Sequence, residues 1–230
     1  MSAVVLIGLA GCSTIPKPES RQSGFLDDYS QLEKDDAWPS SQYWVDPHLK
    51  LATPNKKRIY LEPPLYYLAG EDLKFLTEHP EDVSKMLRYL HQALLYEFLT
   101  AGYEITTQPE ANTFLLRTAI TGAKRTPRDV TLLEYLPIGM ILSGSMHFAG
   151  FRDESVRIFF ESELRDAQSK KLLGQSVSVS TGNNVSPRAE ATVEDTYLAL
   201  DMWAKQLRER ADKTYSTKQN SHPISDKEER

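Results

Sequence analysis

Residues Ser155 to Arg165 alternate so regularly that only an extended strand accommodates them. Val156, Ile158, Phe160 and Leu164 point one way, and Arg157, Glu161, Glu163 and Arg165 point the other. Wound at 3.6 residues per turn, the same residues would scatter both sets around a helix. The strand runs into Asp166-Ala167-Gln168-Ser169-Lys170, a turn composition, and continues as Lys171 to Ser180, which predicts a hairpin. Opposite charges along the outer face predict a sheet with one side in water, as antiparallel sheets often have.

The rest of the chain is read against that hairpin. Arg58 to Glu62 alternates and stops at Pro63-Pro64, which makes it a strand. Pro80 and Glu81-Asp82 open a long helix that runs to Ala101 and stops at Gly102. Val83, Met86, Leu87, Leu90, Leu94 and Phe98 share its apolar face. Tyr103 to Thr106 and Asn112 to Thr121 read as the next two strands, with Phe114, Leu116, Thr118 and Ile120 on one face. Gln108-Pro109-Glu110 between them suggests a hairpin. Gly182-Asn183-Asn184 and Val185-Ser186-Pro187 read as a loop. Ala191 to Ala211 is the final helix, striped by Val193, Tyr197, Leu200, Ala204 and Leu207. The expected architecture is a two-layer α/β (α+β) sandwich in the order β-α-β-β-(connector)-β-β-α. It has a mostly antiparallel sheet of about five strands and two long helices on one face. This domain spans 57–212. Residues 24–56 form an extended, aromatic-rich segment laid over it, and 213–230 are expected as a disordered polar tail.

A short apolar run, Ala3 to Leu9, ends in Leu9-Ala10-Gly11-Cys12. This tetrapeptide resembles the lipobox of bacterial lipoprotein precursors, in which the cysteine sulfur receives a diacylglyceryl group. Small residues beside the cysteine leave the backbone open to a membrane-embedded peptidase. Residues 1–11 are therefore expected to be a signal peptide, with Cys12 as the acylated N-terminus, palmitate included. Met1-Ser2 supplies no basic n-region, which a start further upstream would provide. Ser13 is not the Asp that resembles an inner-membrane retention signal, so the outer membrane is the expected destination. Residues 12–23 are polar with two prolines and read as a flexible tether. Cys12 is the chain's single cysteine, so once acylated it leaves no thiol for a disulfide or a thiolate metal site.

Few residue patterns suggest chemistry. There is no GxSxG, GxxxxGK[ST], GxGxxG or HExxH, and Ser143-Gly144-Ser145 with nearby His147 lacks the strand-turn-helix setting of a nucleophile elbow. His48, His79, His91, His147 and His222 are scattered without an i, i+4 pair, so no metal site and no cofactor are expected. His91 and Glu97 on the first helix could form an acid/base or metal element, although a boundary histidine and a glutamate paired with an arginine are commoner. Asp27-Asp28 and Asp35-Asp36 read as solvated acids, and Lys56-Lys57-Arg58 and Lys124-Arg125 with Arg128 as solvated loop charge. The net charge of -5 argues against nucleic acid. Trp38, Tyr43 and Trp44, interspersed with Pro39, Pro47 and Pro54, dock in grooves, or alternatively form a stacking platform for a glycan or lipid. Leu136 to Phe151 is uncharged, too short to span a bilayer, and is either buried packing between the two hairpins or a self-association or membrane-grazing surface. Asn184-Val185-Ser186 matches a glycosylation sequon and carries little weight here.

The lipobox, SGFLDDYSQL at Ser23 to Leu32, the strand KKRIYLEP, the hairpin RDAQSKKLLG at Arg165 to Gly174 and the C-terminal amphipathic helix occur together. This combination is similar to a family of bacterial envelope lipoproteins catalogued only as a domain of unknown function. The resemblance implies no catalytic residues. The expected role is a non-enzymatic lipoprotein facing the periplasm, held by acyl chains on Cys12 and working by protein contact, with homo-oligomeric contacts assigned to Leu136 to Phe151. A glycan- or lipid-binding module, or an accessory subunit of an export or transport machine, are the alternatives.

Overall fold

The computed structural model describes residues 22–49, 57–67, 80–127, 154–185 and 193–220. Cys12, most of the tether and all of Leu136 to Phe151 lie outside them. The strands are β1 (Glu33–Lys34), β2 (Ser41–Val45), β3 (Arg58–Leu61), β4 (Leu65–Tyr66), β5 (Glu104–Ile105), β6 (Phe114–Pro127), β7 (Glu154–Asp166) and β8 (Leu172–Val185). Helix α1 spans Pro80–Thr100, and a 3-10 turn at Val193–Thr196 leads into α2, Tyr197–Asn220.

Among the described residues the strands form one eight-stranded sheet in the order β1-β2-β8-β7-β6-β3-β5, with β4 also on β6. The predicted β7–β8 hairpin is present. Asp166 closes its turn, its Oδ1 accepting from the amides of Gln168 and Ser169, and Lys170 takes the left-handed conformation at φ 61. Both strands exceed the expected lengths, because Gly182 to Val185, read as a loop, stay in the ladder opposite β7.

The sheet is mixed and larger than the five mostly antiparallel strands expected. β3 pairs in parallel with β5 on one side and β6 on the other. The hairpin expected around Gln108-Pro109-Glu110 therefore does not form, since β3 lies between its two strands. Local turn residues could not reveal this, because α1 returns the chain parallel to β3, as helical crossovers do. Arg58 holds the returning loop through Glu104 at 3.0 Å and Glu110 at 2.8 Å. It and Lys57, paired with Asp212 at 2.8 Å, are thus structural cations and not solvated loop charge.

Helix α1 forms as its periodicity predicts, burying Val83, Met86, Leu90, Leu94 and Phe98. Its stop is a Schellman motif: Gly102 adopts φ 80, its amide donates to the Leu99 carbonyl, and the Tyr103 amide donates to that of Phe98. Both helices pack on one face of the sheet over Leu116, Ile120, Ile158 and Phe160. Trp203, absent from the predicted stripe of α2, is the largest fully buried side chain among the described residues and stacks on Phe160 at 4.3 Å. The polar segment expected as a disordered tail from residue 213 is helical as far as Asn220. Tyr215 is buried there beneath the Lys57 ammonium, which gives that stretch a reason to stay wound.

The N-terminal segment belongs to the sheet and does not merely lie over it. β2 pairs with β8, and β1 pairs with β2. Residues of β8 that face the helices are Gly174, Ser176, Ser178, Ser180 and Gly182, all small. At Gly182 a Cβ would collide with the Asp195 carbonyl oxygen, so the 3-10 turn can approach only a glycine.

Candidate functional site

The outer face of β7, expected in water, is buried. Arg157 is 7 %, Glu161 0 % and Glu163 1 % exposed. The alternation had assigned the residues to faces correctly, but what covers the second face depends on residues more than a hundred positions away. Ser23 to Leu32 folds back as a packed strap, with Phe25 and Leu26 buried against Ala119 and Val177. Phe25 also lies under the Arg117 guanidinium at 5.2 Å.

The strap is pinned by ionised or polar groups. Glu161 accepts from the Ser23 amide at 3.1 Å and the Tyr29 hydroxyl at 2.6 Å. Glu163 lies between Arg117 and Arg165, and Arg165 reaches Asp27 at 3.1 Å. Gln175 donates to the Asp28 carbonyl at 2.6 Å. Much of SGFLDDYSQL is therefore a clasp joining the tether to the sheet. Of its two acids, Asp27 pairs with Arg165, and Asp28 caps the amide and hydroxyl of Ser30.

Burial pushes the Glu161 carboxyl above its ordinary 4.5, opposed by the donors from Tyr29 and Ser23. A carboxyl raised in the folded state contributes stability that is fully present below its unfolded value and is lost as pH rises through the folded one. Glu161→Gln keeps the shape but cannot titrate. The stability of the wild type relative to this variant is therefore expected to increase as pH falls from 7 towards 4, measured by urea unfolding. A difference that is flat or falls with acid would refute the assignment.

A second place gathers the predicted aromatics. Between β2 and the C-terminal half of α2 lies a cleft of about 290 Å³ that includes Asp35, Trp38, Tyr43, Asp46, Arg210 and Lys213. The Arg210 guanidinium stands 5.2 Å from the ring centroids of both Trp38 and Tyr43. Its Nε and Nη2 donate to Asp35 Oδ2 at 3.2 and 2.6 Å. Asp35, read as a solvated acid, is thus a buried partner, and its Oδ1 accepts from the amides of Ala37 and Trp38. Lys171 holds Asp46 at 2.6 Å, which keeps that carboxyl below its usual range. Alternation along β2 sends Tyr43 and Trp44 to opposite faces, so the three aromatics do not form one stacking platform.

Next to the cleft, and sharing Val45, Arg210 and Thr214 with it, is an apolar cavity of about 70 Å³ between the sheet and α2. Its floor has Ser162 and Ser176, whose hydroxyls bond each other at 2.7 Å. Sequence reasoning missed this site. Its available signal was the run Gly174, Ser176, Ser178 at successive inward positions, which leaves space above a strand.

His91 and Glu97 do not meet chemically. Glu97 pairs with Arg208 at 3.4 Å, and burial lowers the His91 pKa. Among the described residues, no three His, Cys, Asp or Glu side chains converge as metal ligands, and no helix is long and apolar enough to cross a membrane.

The family described as "Protein of unknown function (DUF3313)" matches residues 21–207. The uncharacterized lipoprotein YdcL of Escherichia coli K12 is 25% identical over 183 residues, covering 79% of this chain and 80% of YdcL. Among solved structures, a minor lipoprotein from Acinetobacter baumannii aligns with a TM-score of 0.39 and 11% identity, over 69% of this chain and 94% of that one. A PelC dodecamer from Paraburkholderia phytofirmans aligns at 0.33 and 10% identity, over 72% and 96%.

Proposed function

The chain belongs to the DUF3313 family, whose function is unknown, and we propose that it is a lipid-anchored outer-membrane lipoprotein facing the periplasm and acting by protein contact. Acyl chains on Cys12 hold it to the leaflet, diacylglyceryl on the sulfur and palmitate on the new amine. Two or more chains anchor stably where one does not. The observation that carries the reading is the clasp. The tether ends at Ser23, whose amide is bonded to the fully buried Glu161, so the anchor meets a defined point on the sheet. A domain attached that way presents a consistent face to its neighbours in the envelope. The lipoprotein relative supports the anchor, and Ser13 after the cysteine supports the outer membrane. The chemistry of this domain is that of binding and not of catalysis.

The contact surface we assign is the uncharged stretch Leu136 to Phe151, which joins β6 to β7 and would meet an envelope protein or a second copy of the chain. The test is chemical cross-linking in intact envelopes, followed by recovery of the tagged protein. A specific adduct is expected, and Ile141→Asp should abolish it while leaving the melting temperature unchanged. Recovery of no specific adduct under several growth conditions, or an adduct indifferent to Ile141→Asp, would defeat this reading.

A further inference from the structure

We propose that the cavity and cleft beside α2 form one binding site for a small anionic amphiphile, a carboxylate carrying a short alkyl chain. This goes beyond the anchoring role and does not depend on it. An apolar cavity of about 150 Å³ takes benzene, so 70 Å³ takes roughly three carbon-sized groups, the end of a short chain whose remainder would lie in the adjoining cleft of about 290 Å³. Its walls are core side chains such as Ile59, Phe98, Leu116 and Leu207, which suit hydrocarbon.

The space exists because of sequence choices on both sides. β8 presents Gly174 and Ser176 where the neighbouring strands present Leu116 and Leu164, and α2 presents Ala211. The Ser162 and Ser176 hydroxyls satisfy each other, so the floor asks nothing polar of its occupant. α2 continues past the helix end expected from the sequence, and this extra length makes the far wall with Thr214 and Tyr215.

The mouth supplies the head-group chemistry. Arg210 lines both spaces and is 7 % exposed, and its Nη1 is buried with no hydrogen-bond partner. A guanidinium nitrogen that has given up water without gaining an acceptor is a standing demand for one. The two carboxylates nearby cannot answer it, because Asp35 Oδ2 is taken by Nε and Nη2 and Asp46 is held by Lys171 and the His48 amide. Arg210 and Lys213 face Asp35 and Asp46 in the lining of the cleft, so the charges there balance, and the unanswered Nη1 of Arg210 is what selects an acceptor-bearing head group over a cation. Trp38 and Tyr43 flank the guanidinium and would flank the bound head group.

The test uses the full chain carrying Cys12→Ser, so that no detergent competes, and titrates octanoate, octanol and octyltrimethylammonium by calorimetry and tryptophan fluorescence. Octanoate is expected to bind saturably at one site per chain, with octanol at least tenfold weaker and the ammonium amphiphile weaker still. Ala211→Leu, which fills the cavity, should abolish octanoate binding. Should that variant fail to fold, Lys213→Glu on the exposed rim decides, and it should weaken octanoate at least fivefold while sparing octanol. Absence of saturable binding, equal affinity for the three head groups, or octanoate binding unchanged in a folded Ala211→Leu variant or in Lys213→Glu would overturn the proposal.

Discussion

Replacing Trp203 by alanine should cost the domain about 3–5 kcal/mol, the range for deleting a large aromatic from a packed core. Trp203 is wholly buried, its ring lies 4.3 Å from Phe160 at 7° to it, and it sits where α2 meets the central strand of the sheet. The opposing wall is the β6–β7–β8 ladder, which is too rigid to collapse into the space. Domains of this size are stable by roughly 5–15 kcal/mol, so the loss is a large share of the total. At about 2–4 °C per kcal/mol, the melting temperature should fall by on the order of 10 °C. Trp203→Phe provides the control. The indole Nε1 is buried without a hydrogen-bond partner among the described residues, so phenylalanine removes an unsatisfied donor while keeping most of the ring. Its cost should stay below about 1.5 kcal/mol. Thermal unfolding of the three proteins measures both effects. A Trp203→Ala variant that melts within 2 °C of the wild type would show that α2 does not depend on this contact.

Cys12→Ser should move the protein from the membrane fraction to the soluble fraction almost completely. Each buried methylene of an acyl chain contributes about 0.8 kcal/mol, so losing the chains removes far more than any surface contact replaces. Among the described residues no helix offers a second means of crossing the bilayer. Fractionation of envelopes measures the shift, and mass spectrometry of the mature wild type should find the acyl mass on Cys12. If the serine variant sediments as before, or the cysteine is bare, the protein is held by something other than lipid. The clasp at Glu161 would then still order the strap, but it would no longer mark where a membrane anchor joins the domain.

Several features of this protein could be read directly from its residues. Helix α1 was legible to its last turn, because an apolar face at 3.6-residue spacing, an N-terminal proline and a C-terminal glycine are all local instructions. The β7–β8 hairpin was legible for the same reason, since Asp166 and the residues after it make the turn from their own side chains. The division of β7 into apolar and charged faces was also correct. For Trp203 the signal was present but overlooked, since it lies three residues after Leu200 and four before Leu207 on the same helix.

Three features needed the tertiary structure, and each depends on long-range partners. β3 accepts two parallel neighbours because α1 carries the chain back across the sheet, and nothing in a four-residue strand states which edges will be filled. The charged face of β7 is buried because Tyr29 reaches Glu161 across 132 positions. The cleft exists because Asp35 and Arg210, 175 positions apart, pair beneath Trp38 and Tyr43. Periodicity sorts side chains by face and capping residues set where an element ends, because both act within a few residues. What covers a face, and whether a buried charge finds its counter-charge, is decided only when distant segments are brought together by the packed core.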